Sequence, residues 1–582
     1  EIKMCTIKRS YSLDILKGLA ILSVILFHVN IFTYGYLGVD IFLVIAGYLT
    51  TKSIINQYEK GEFSYWNFLR KRIIRLWPLL LLISIFSLSL GYFTMFPTNL
   101  KNTAETAIGT SLFLNNFVQY ITAGDYWDSA NEYKPLMHTW YIAVVFQFYM
   151  LYPLFFIVAK RQTKKWESFV TLMLLVAGII SFLLFLSPLF TIAFRFYLLP
   201  LRLFEFISGG ILVLIARLRA KSQKWALWMC LLMLFIVMSI NTNISSGQSK
   251  LLGIVILTSV FLWLTDIKKN LTIIPNIKLI SLFGRASYSI YLWHQVIISF
   301  YRNFFNDQLT TWEYVLLIGS SLLWGVASYQ IFEQPIAKID TNKSRKILGI
   351  CSISTILLVL VSSYFYKREG VVRNIPELDL DASRCSTWIT QSYNDGVHKY
   401  DIDFPHNGKK NVLVVGDSYA RDWYNVIKES KYADSINLSY HKALDKLLEE
   451  RIKKADFIFL ANHGGYEEFD SYLPIMMKKR FYRIGDKKFF SSPCIVYNKR
   501  FNLGSYYKQS AEISDEVLER NKKESQIFGK NYISTINAIK DKKGFYNIFT
   551  PEHKLISHDG LHLTKAGARF YALRLDIGSF FH

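Results

Sequence analysis

Long apolar runs fill the first 366 residues, and they restrict the possible folds more than any other feature of this chain. The runs lie near residues 13–33, 37–56, 74–96, 138–159, 169–189, 201–216, 225–241, 251–265, 279–300, 313–335 and 346–366. About 20 apolar residues in a helix cross a ~30 Å hydrocarbon core, and only helices and closed barrels satisfy their backbone hydrogen bonds inside a bilayer. We therefore predict a polytopic α-helical membrane domain of about 11 spans over residues 1–366, with a further partial helix over 105–121.

Composition and charge agree with a membrane protein. Of the 582 residues, 52% are hydrophobic and 19% are charged, and the formal net charge is +23. The lysines and arginines lie mostly in alternate short loops, which follows the positive-inside rule and argues against nucleic acid as a partner. The first run lacks a small-residue cleavage site and is interpreted as a retained span. With a cytoplasmic N-terminus, an odd number of spans places everything after residue 366 outside the cytoplasm.

The pattern changes after Tyr366. Residues 367–410 are polar and irregular, and we interpret them as a linker. From residue 411 onward strand-like and helix-like segments alternate, which is typical of α/β layered domains. We therefore predict a three-layer α/β domain over residues 411–582.

Two strands of this domain stand out in the sequence. NVLVV (411–415) reads as a buried strand, followed by a turn at Gly416 and a helix that begins just after Ser418. ADFIFLA (455–461) reads as a second buried strand, whereas CIVYN (494–498) fits a strand less well. Ser418 would then lie at a strand-to-helix turn with its hydroxyl exposed.

Two ionisable residues interrupt the first apolar run. Lys17 opens it, and His28 follows eleven residues later, which is roughly 16 Å along a helix and about half of the hydrocarbon core. An ionisable side chain at that depth is costly and by default marks a functional site. The alternative is a histidine that merely hydrogen-bonds to a neighbouring helix.

A pair of arginines lies at the cytoplasmic border of the third run. Arg72 and Arg75 are three residues apart, on one helical face. Two guanidinium groups in this arrangement suit phosphate groups. The alternative is simple anchoring under the positive-inside rule.

Further polar residues lie within the apolar runs. The segments that carry them are GVDIFLVIAGY (38–48), HTW (138–140), PLRLFEFISGG (200–210), FGRASYSIYLWHQ (283–295) and FEQP (332–335). Arg202 and Glu205 are one helical turn apart, so we predict an intramembrane ion pair between them.

These segments, together with the Lys17–His28 spacing and the arginine pair followed by Pro78, resemble the motifs of the membrane acyltransferase-3 family, in the same order. The resemblance covers roughly residues 10–365. One position departs from the family pattern, because Val145 stands where the family usually has a glutamate after its H-T-W motif.

The α/β region carries a second candidate site. Ser418 lies in a G-D-S motif, Asn462 ends the second buried strand, and Asp559 and His562 lie three residues apart near the end of the sequence. In this combination the aspartate orients the imidazole, the imidazole activates the serine, and Asn462 donates to an oxyanion beside the Ser418 N–H. The set resembles the SGNH hydrolase family. That family's glycine oxyanion donor has no clear match, and the loop after INLSY (436–440) is where we expect a second donor.

Together the two resemblances imply a bacterial envelope O-acetyltransferase that uses cytoplasmic acetyl-CoA. The resemblance implies that Arg72, Arg75 and Arg285 bind acetyl-CoA and that Lys17 and His28 are catalytic. The sequence leaves open whether His28 is a general base for the acceptor hydroxyl or a transient acyl carrier.

The exported site implies the second half of a relay, with Ser418 as the covalent acetyl carrier. The implied acceptor is an envelope glycan, with lipopolysaccharide O-antigen as first choice and peptidoglycan close behind. We expect a multi-pass protein of the bacterial inner membrane with its α/β domain on the periplasmic side, and no metal. A membrane acyl transporter with a fused acetyl-esterase domain is the alternative.

Five cysteines are present, and their spacing indicates no metal site. Cys385 and Cys494 lie in the part expected outside the cytoplasm, where a disulfide between them is possible in an oxidising compartment.

Overall fold

A computed structural model describes most of the chain. The described residues are 11–122, 132–215, 224–239, 247–266, 278–305, 309–336, 338–378, 380–382, 389–463, 465–490, 493–501, 504–511, 515–540 and 545–581. Several basic residues used to predict the orientation lie outside these ranges, namely Lys8, Arg9, Arg217, Arg219, Lys221, Lys268 and Lys269. Cys385 also lies outside them, so its pairing with Cys494 stays a prediction. Cys494 itself is buried, and its Sγ accepts a hydrogen bond from the Phe96 N–H at 3.4 Å.

The chain forms two compact units. The first comprises the described residues of Glu1–Phe93 and Asn102–Tyr366, and the second those of Thr94–Lys101 and Lys367–His582.

The helices up to residue 367 coincide with the predicted apolar runs, each of which contains a helix. They are α1 (Tyr11–His28), α2 (Gly38–Glu59), α3 (Tyr65–Thr94), α4 (Pro97–Ser111), α5 (Asn115–Thr122), α6 (Trp140–Gln162), α7 (Trp166–Leu186), α8 (Ile192–Tyr197), α9 (Leu199–Ile215), α10 (Lys224–Ser239), α11 (Gly247–Asp266), α12 (Lys278–Arg285), α13 (Ser287–Phe304), α14 (Thr311–Ser328), α15 (Gln334–Ile336) and α16 (Thr341–Lys367). A π-helical turn, Tyr329–Glu333, joins α14 to α15. By length and composition, eight helical stretches within the described ranges can cross a membrane. The multi-pass helical class is thus confirmed, while the count of about 11 spans stays a prediction.

Small residues bring α2 and α9 into close contact. A Cβ atom on Gly47 would lie 1.8 Å from the Phe206 carbonyl oxygen, and one on Gly209 would lie 2.0 Å from that of Val44. Glycine is therefore required at both positions, as in other close helix pairs within membranes.

The predicted ion pair lies on the same two helices. Arg202 Nη1 is 3.0 Å from Glu205 Oε1, and it also contacts Asp40 Oδ1 on α2 at 2.5 Å. All three side chains are buried. Two carboxylates share one guanidinium, which offsets part of the cost of burying charge.

The second unit is built on a five-stranded parallel sheet with strand order β2-β1-β3-β4-β6, and a separate antiparallel pair joins β5 and β7. The strands are β1 (Lys410–Val415), β2 (Ile436–His441), β3 (Phe457–Leu460), β4 (Arg480–Ile484), β5 (Ser510–Ala511), β6 (Tyr532–Ile533) and β7 (Tyr546–Asn547). The helices are α17 (Ile389–Asp395), α18 (Ser418–Lys428), α19 (Lys446–Lys454), α20 (Leu473–Met476), α21 (Pro493–Asn498), α22 (Asp515–Phe528), α23 (Thr535–Ile539) and α24 (Lys565–Arg574).

The central strand β1 is buried on both faces. Val412 and Val414 pack in a core with α18 and α24, whereas Leu413 and Val415 pack in a second core with α19. Alternate residues of a strand point to opposite faces, so helices cover both sides of the sheet. This confirms the predicted three-layer α/β arrangement.

Two segments differ from the sequence-based interpretation. The strand suggested for CIVYN is wrong: residues Pro493–Asn498 form α21, because a proline is favoured in the first turn of a helix. Residues 389–404, interpreted as part of a linker, instead pack onto the α/β unit, since Val397 and Phe404 belong to its two hydrophobic cores.

Candidate functional site

A cavity in the first unit brings three predicted residues together. Lys17 of α1 and Arg72 and Arg75 of α3 line it, and it contains about 890 Å³ of atom-free space including its open mouth. The remaining wall is mostly apolar and aromatic and includes Tyr141 and Tyr291. Three cationic side chains among mostly apolar and aromatic walls suit a ligand that has both anionic groups and an apolar part.

The two arginines are held in different ways. Arg72 lies over the rings of Phe68 and Tyr149, with its guanidinium carbon 4.8 and 5.4 Å from the ring centroids. Arg75 pairs with Glu333, whose Oε1 is 3.1 Å from Nη2. The Arg75 side chain nonetheless stays half exposed, so its remaining N–H groups can reach a ligand in the cavity.

Sequence reasoning missed the partner of Arg75. Glu333 lies at the end of the π-helical turn, and Ser289 Oγ donates to its other oxygen at 2.8 Å. Glu333 belongs to the FEQP segment, but nothing local in the sequence connects this segment to Arg75, which is 258 residues away.

Two other family positions fall at distinct places. Val145, which replaces the family glutamate, is buried and lines the cavity, so the wall is apolar there. Arg285 is the last residue of α12 and is not one of the lining residues among the described ranges. Its predicted role in acetyl-CoA binding stays a prediction.

Three histidines meet beside Tyr291, which lines the cavity. The ring centroid of His294 on α13 is 5.1 Å from that of His28 and 5.3 Å from that of His138. Tyr291, which lines the cavity, is 5.3 Å from the His294 ring and 5.2 Å from the His138 ring. His28 is not itself a lining residue. It is connected to the cavity through His294 and Tyr291.

This histidine cluster was not predicted, although the HTW and SYSIYLWH segments containing its members were noted. In the described part of the chain, no group of three His, Cys, Asp or Glu side chains has the arrangement of a metal site. Neutral imidazoles can transfer protons or acyl groups.

In the second unit, Ser418 begins α18 directly after β1. The intervening Gly416 has φ +132°, and a Cβ there would lie 2.0 Å from the Ala461 carbonyl oxygen. Asp417 caps the helix, with Oδ1 accepting from the Tyr419 N–H at 2.9 Å. This tight turn places Ser418 at the carboxyl edge of the sheet, where parallel α/β domains bind ligands.

Asp559 and His562 form the predicted pair. Asp559 Oδ2 is 2.6 Å from His562 Nδ1, so it accepts the Nδ1 hydrogen and leaves Nε2 as the acceptor. Burial opposes the charge of Asp559, but hydrogen bonds from His562 and Leu561 and the imidazole charge prevail and lower its pKa to about 2. Burial likewise opposes the charge of His562, but Asp559 outweighs it and raises the pKa of the imidazole.

Asn462 follows β3, the neighbour of β1 in the sheet. Arg483 Nη1 donates to its Oδ1 at 2.9 Å, and its Nδ2 donates to the Gly465 carbonyl. Arg483 is buried and paired in turn with Glu524 at 2.9 Å. An amide has two N–H donors, and the bond to Gly465 uses one of them, so the other stays available as a donor in the orientation that Arg483 fixes.

Two further residues connect the serine helix to the histidine loop. Asp422, one turn after Ser418, accepts from the Leu563 N–H at 3.2 Å and pairs with Lys487 at 2.7 Å. Lys487 Nζ also donates to the Leu561 carbonyl at 2.7 Å. The residues on either side of His562 are therefore fixed to the helix that carries Ser418.

Residues 389–404, the N-terminal extension of the α/β unit, also reach this site. Asn394 Nδ2 donates to the Ser418 carbonyl at 2.9 Å and to Asp422 Oδ1 at 2.6 Å. No local motif marks Asn394, Asp422 or Lys487 in the sequence, apart from the four-residue spacing that puts Asp422 on the same helix face as Ser418.

The second oxyanion donor is not supplied by a glycine in the expected loop. β2 ends at His441, and the residues up to the start of α19 are Lys442, Ala443, Leu444 and Asp445. Any donor from this loop is therefore a backbone N–H of a non-glycine residue or the ammonium group of Lys442.

Fold and sites together define a multi-pass membrane protein with a serine–histidine α/β domain. The acyltransferase-3 family profile, described as an acyltransferase domain, matches residues 10–330, and the chain belongs to this acyltransferase family. The α/β unit fits the SGNH-like domain inferred from the G-D-S and D-x-x-H motifs.

Several curated proteins are similar along much of their length. A Staphylococcus aureus (strain MRSA252) protein with a provisional O-acetyltransferase name is 25% identical over 470 residues, which is 73% of each chain. The peptidoglycan O-acetyltransferase OatA of Listeria monocytogenes is 26% identical over 357 residues, which is 56% of each chain. The O-acetyltransferase OatA of Staphylococcus aureus (strain NCTC 8325) is 26% identical over 56% of this chain and 57% of its own. No solved structure matches the chain.

Proposed function

We propose that this protein is an O-acetyltransferase that moves acetyl groups from acetyl-CoA on the cytoplasmic side to a hydroxyl group of a bacterial envelope glycan on the other side of the membrane. The cavity carries the proposal, because it places Lys17, Arg72 and Arg75 around one space whose inner wall, Tyr291, contacts the histidine cluster. Guanidinium groups suit the phosphates of acetyl-CoA, and the imidazoles suit attack on its thioester.

In the membrane unit, His28 either takes the proton of the attacking hydroxyl or carries the acetyl group itself. In both cases the thioester C–S bond breaks and the CoA thiol leaves with a proton.

In the α/β unit, Ser418 Oγ attacks the acyl carbon of the acetyl ester or acyl-imidazole formed in the membrane unit, and His562 takes the serine proton. The bond between the acyl carbon and that carrier breaks, and His562 gives the proton to the released carrier. A sugar hydroxyl then attacks the acetyl-serine, His562 takes the hydroxyl proton, and the proton returns to Ser418. Asn462 and the Ser418 N–H stabilise the oxyanion in both steps.

The acceptor we favour is peptidoglycan. The Listeria monocytogenes relative is named as a peptidoglycan O-acetyltransferase, and none of the three relatives is named for O-antigen. O-antigen is the first choice from the sequence alone. Analysis of the acetylated glycan would distinguish O-antigen from peptidoglycan as the acceptor. The proposed location is the inner membrane, with the α/β unit outside the cytoplasm.

Arg72→Ala and His28→Ala test the assignment of the membrane unit. In cells that produce the full chain, both variants should reduce glycan acetyl esters by at least about 100-fold, measured by mass analysis of alkali-labile acetate. Arg70→Ala, on the same helix but not lining the cavity, is the matched control. Wild-type ester content in both variants, with normal membrane insertion, would contradict the proposal and favour a transporter with a fused esterase.

A further inference from the structure

His294 is buried, and one of its ring nitrogens has a fixed protonation. Nδ1 lies 2.6 Å from the Tyr291 carbonyl oxygen. A carbonyl oxygen only accepts hydrogen bonds, so Nδ1 must carry the hydrogen. Nε2 is then a lone-pair acceptor in a neutral ring.

That acceptor has no hydrogen-bond partner within the described ranges, although the residue is 0% exposed. Buried polar atoms are nearly always paired, and an unpaired acceptor inside a membrane protein is costlier than in water. An orphan of this kind points to a group that arrives or changes protonation during function. Two imidazoles lie beside it, His28 with its ring centroid 5.1 Å from that of His294 and His138 with its centroid 5.3 Å away. His28 is the one that the proposed function gives a reacting proton.

Helix α13 also fixes the main chain of His28. Arg302, two turns beyond His294, donates from Nη2 to the His28 carbonyl at 3.0 Å and pairs with Glu132. One helix thus both contacts the main chain at the end of α1 and carries the ring that lies beside the His28 imidazole.

We propose that His294 is a positioning residue for His28: its Nε2 accepts the N–H of the His28 imidazole and so orients the other His28 nitrogen toward the reacting groups. This inference rests on the proposed function. With His28 as base, the acceptor O–H bond breaks and its proton moves to His28. The ester C–O bond forms, the thioester C–S bond breaks, and the proton leaves on the CoA thiol. His294 shares the positive charge of His28 in between.

His138, the third histidine of the cluster, is held through contacts to the main chain around it. Asn115 Nδ2 donates to the Met137 carbonyl at 3.3 Å and to Thr139 Oγ1 at 2.8 Å, and Tyr291 donates to the His138 carbonyl at 2.7 Å. The His138 ring packs against the His294 ring with its centroid 5.3 Å away and so limits how far the His294 ring can turn.

Three substitutions separate positioning from packing. His294→Gln keeps an acceptor near the Nε2 position, His294→Asn keeps only the group near Nδ1, and His294→Leu removes both. The assay uses the full chain in lipid vesicles, with acetyl-CoA as donor and an N-acetylglucosamine oligomer as acceptor, and it follows release of the CoA thiol. Trp293→Phe is the control. Trp293 precedes His294 on α13, and the substitution removes its buried hydrogen bond to Ser328.

We expect His294→Leu to lower kcat about 100-fold while KM for acetyl-CoA changes less than about twofold, since the phosphate-binding residues are untouched. His294→Gln should keep at least about tenfold more activity than His294→Asn. Trp293→Phe should keep the wild-type rate.

Several outcomes would overturn the inference. If His28→Ala is inactive but His294→Leu retains the wild-type kcat, His294 does not position His28. If His294→Leu loses acetyl-CoA binding through misfolding, the Gln and Asn variants decide, and equal activity of the two contradicts the inference. If the wild-type chain releases no CoA thiol, both the proposed function and this inference fail.

Discussion

His28 and His562 are imidazoles at the two candidate sites, and the two units hold them by different means. His562 is paired with a carboxylate, Asp559, at a partly exposed sheet edge. His28 lies beside another imidazole, His294, whose own partner is a main-chain carbonyl. In the described residues, the hydrogen bonds and ring contacts of these two membrane-unit rings involve no carboxylate.

The difference follows from the surroundings. At the sheet edge water can screen a carboxylate, so an aspartate can orient the ring at modest cost. Inside a membrane an extra carboxylate needs a cation beside it, as in the Arg202 cluster, where two carboxylates share one guanidinium. A neutral imidazole orients its neighbour without adding a buried charge. The comparison teaches that the same chemical task uses different partners at different depths.

Removal of Ser418, the proposed nucleophile, is the strongest test that the two sites act in series. Ser418→Ala should lower glycan acetylation by at least about 10³-fold, because the acetyl group then has no covalent carrier outside the membrane. Mass analysis of glycan acetyl esters measures this loss of acetylation. Ser435→Ala, at an exposed serine, is the control. Full acetylation in Ser418→Ala would break the comparison, since the membrane site alone would then suffice.

Replacement of the carboxylate partner sharpens the comparison. Asp559→Asn should reduce the maximal rate by about 10²- to 10⁴-fold through lost orientation of His562. Asp559 raises the pKa of His562, so its loss lowers that pKa and the neutral base persists to lower pH. The acidic limb of the pH–rate curve for acetyl transfer should move to lower pH.

Asp470→Asn, at an exposed aspartate, is the control and should keep the wild-type curve. An unchanged acidic limb in Asp559→Asn, at reduced rate, would mean that the charge of Asp559 does not set the titration of His562.

Asn462, the proposed oxyanion donor, is expected to contribute less. Asn462→Ala should lower kcat about 10²-fold with little change in KM, because its amide acts mainly on the charge that develops in the transition state. Steady-state kinetics of the full chain measures both constants. A rise in KM at constant kcat would instead assign Asn462 to ground-state binding of the acceptor.

The smallest effect is expected at the extension. Asn394→Ala removes one hydrogen bond to the Ser418 carbonyl and one to the Asp422 carboxylate, and should destabilise α18 by about 2 kcal/mol. Hydrogen exchange of peptides from α18 measures this as faster exchange. Asn407→Ala is the control, because its partner is Asn437 on β2. Equal exchange in the two variants would mean that the extension does not support the serine helix.

Local patterns were enough to predict much of the fold. The apolar runs become helices, because a bilayer satisfies the backbone in few other ways, and β1 and β3 are found as predicted because buried parallel strands are continuous apolar segments. β2 and β4 were not assigned from the sequence. Arg480 and Arg483 interrupt the apolar pattern of β4, and Arg483 is a buried partner of Glu524 rather than a surface residue.

The site was predictable only as far as its motifs are local. Asp559 and His562 pair as expected, since three residues separate them. The Arg75–Glu333 pair, the histidine cluster and the contacts of Asn394 join segments far apart in the chain. Such contacts depend on helix packing and sheet order, which a single sequence does not specify.

The packing of residues 389–404 against the α/β unit has a practical consequence for protein engineering. A soluble fragment cut at residue 405 would lose Asn394 and Val397, and with them a hydrogen-bond partner of the serine helix and part of one hydrophobic core. Fragments for crystallisation or inhibitor screening should therefore begin before residue 389. Limited proteolysis of the intact protein should spare the bonds between residues 389 and 404.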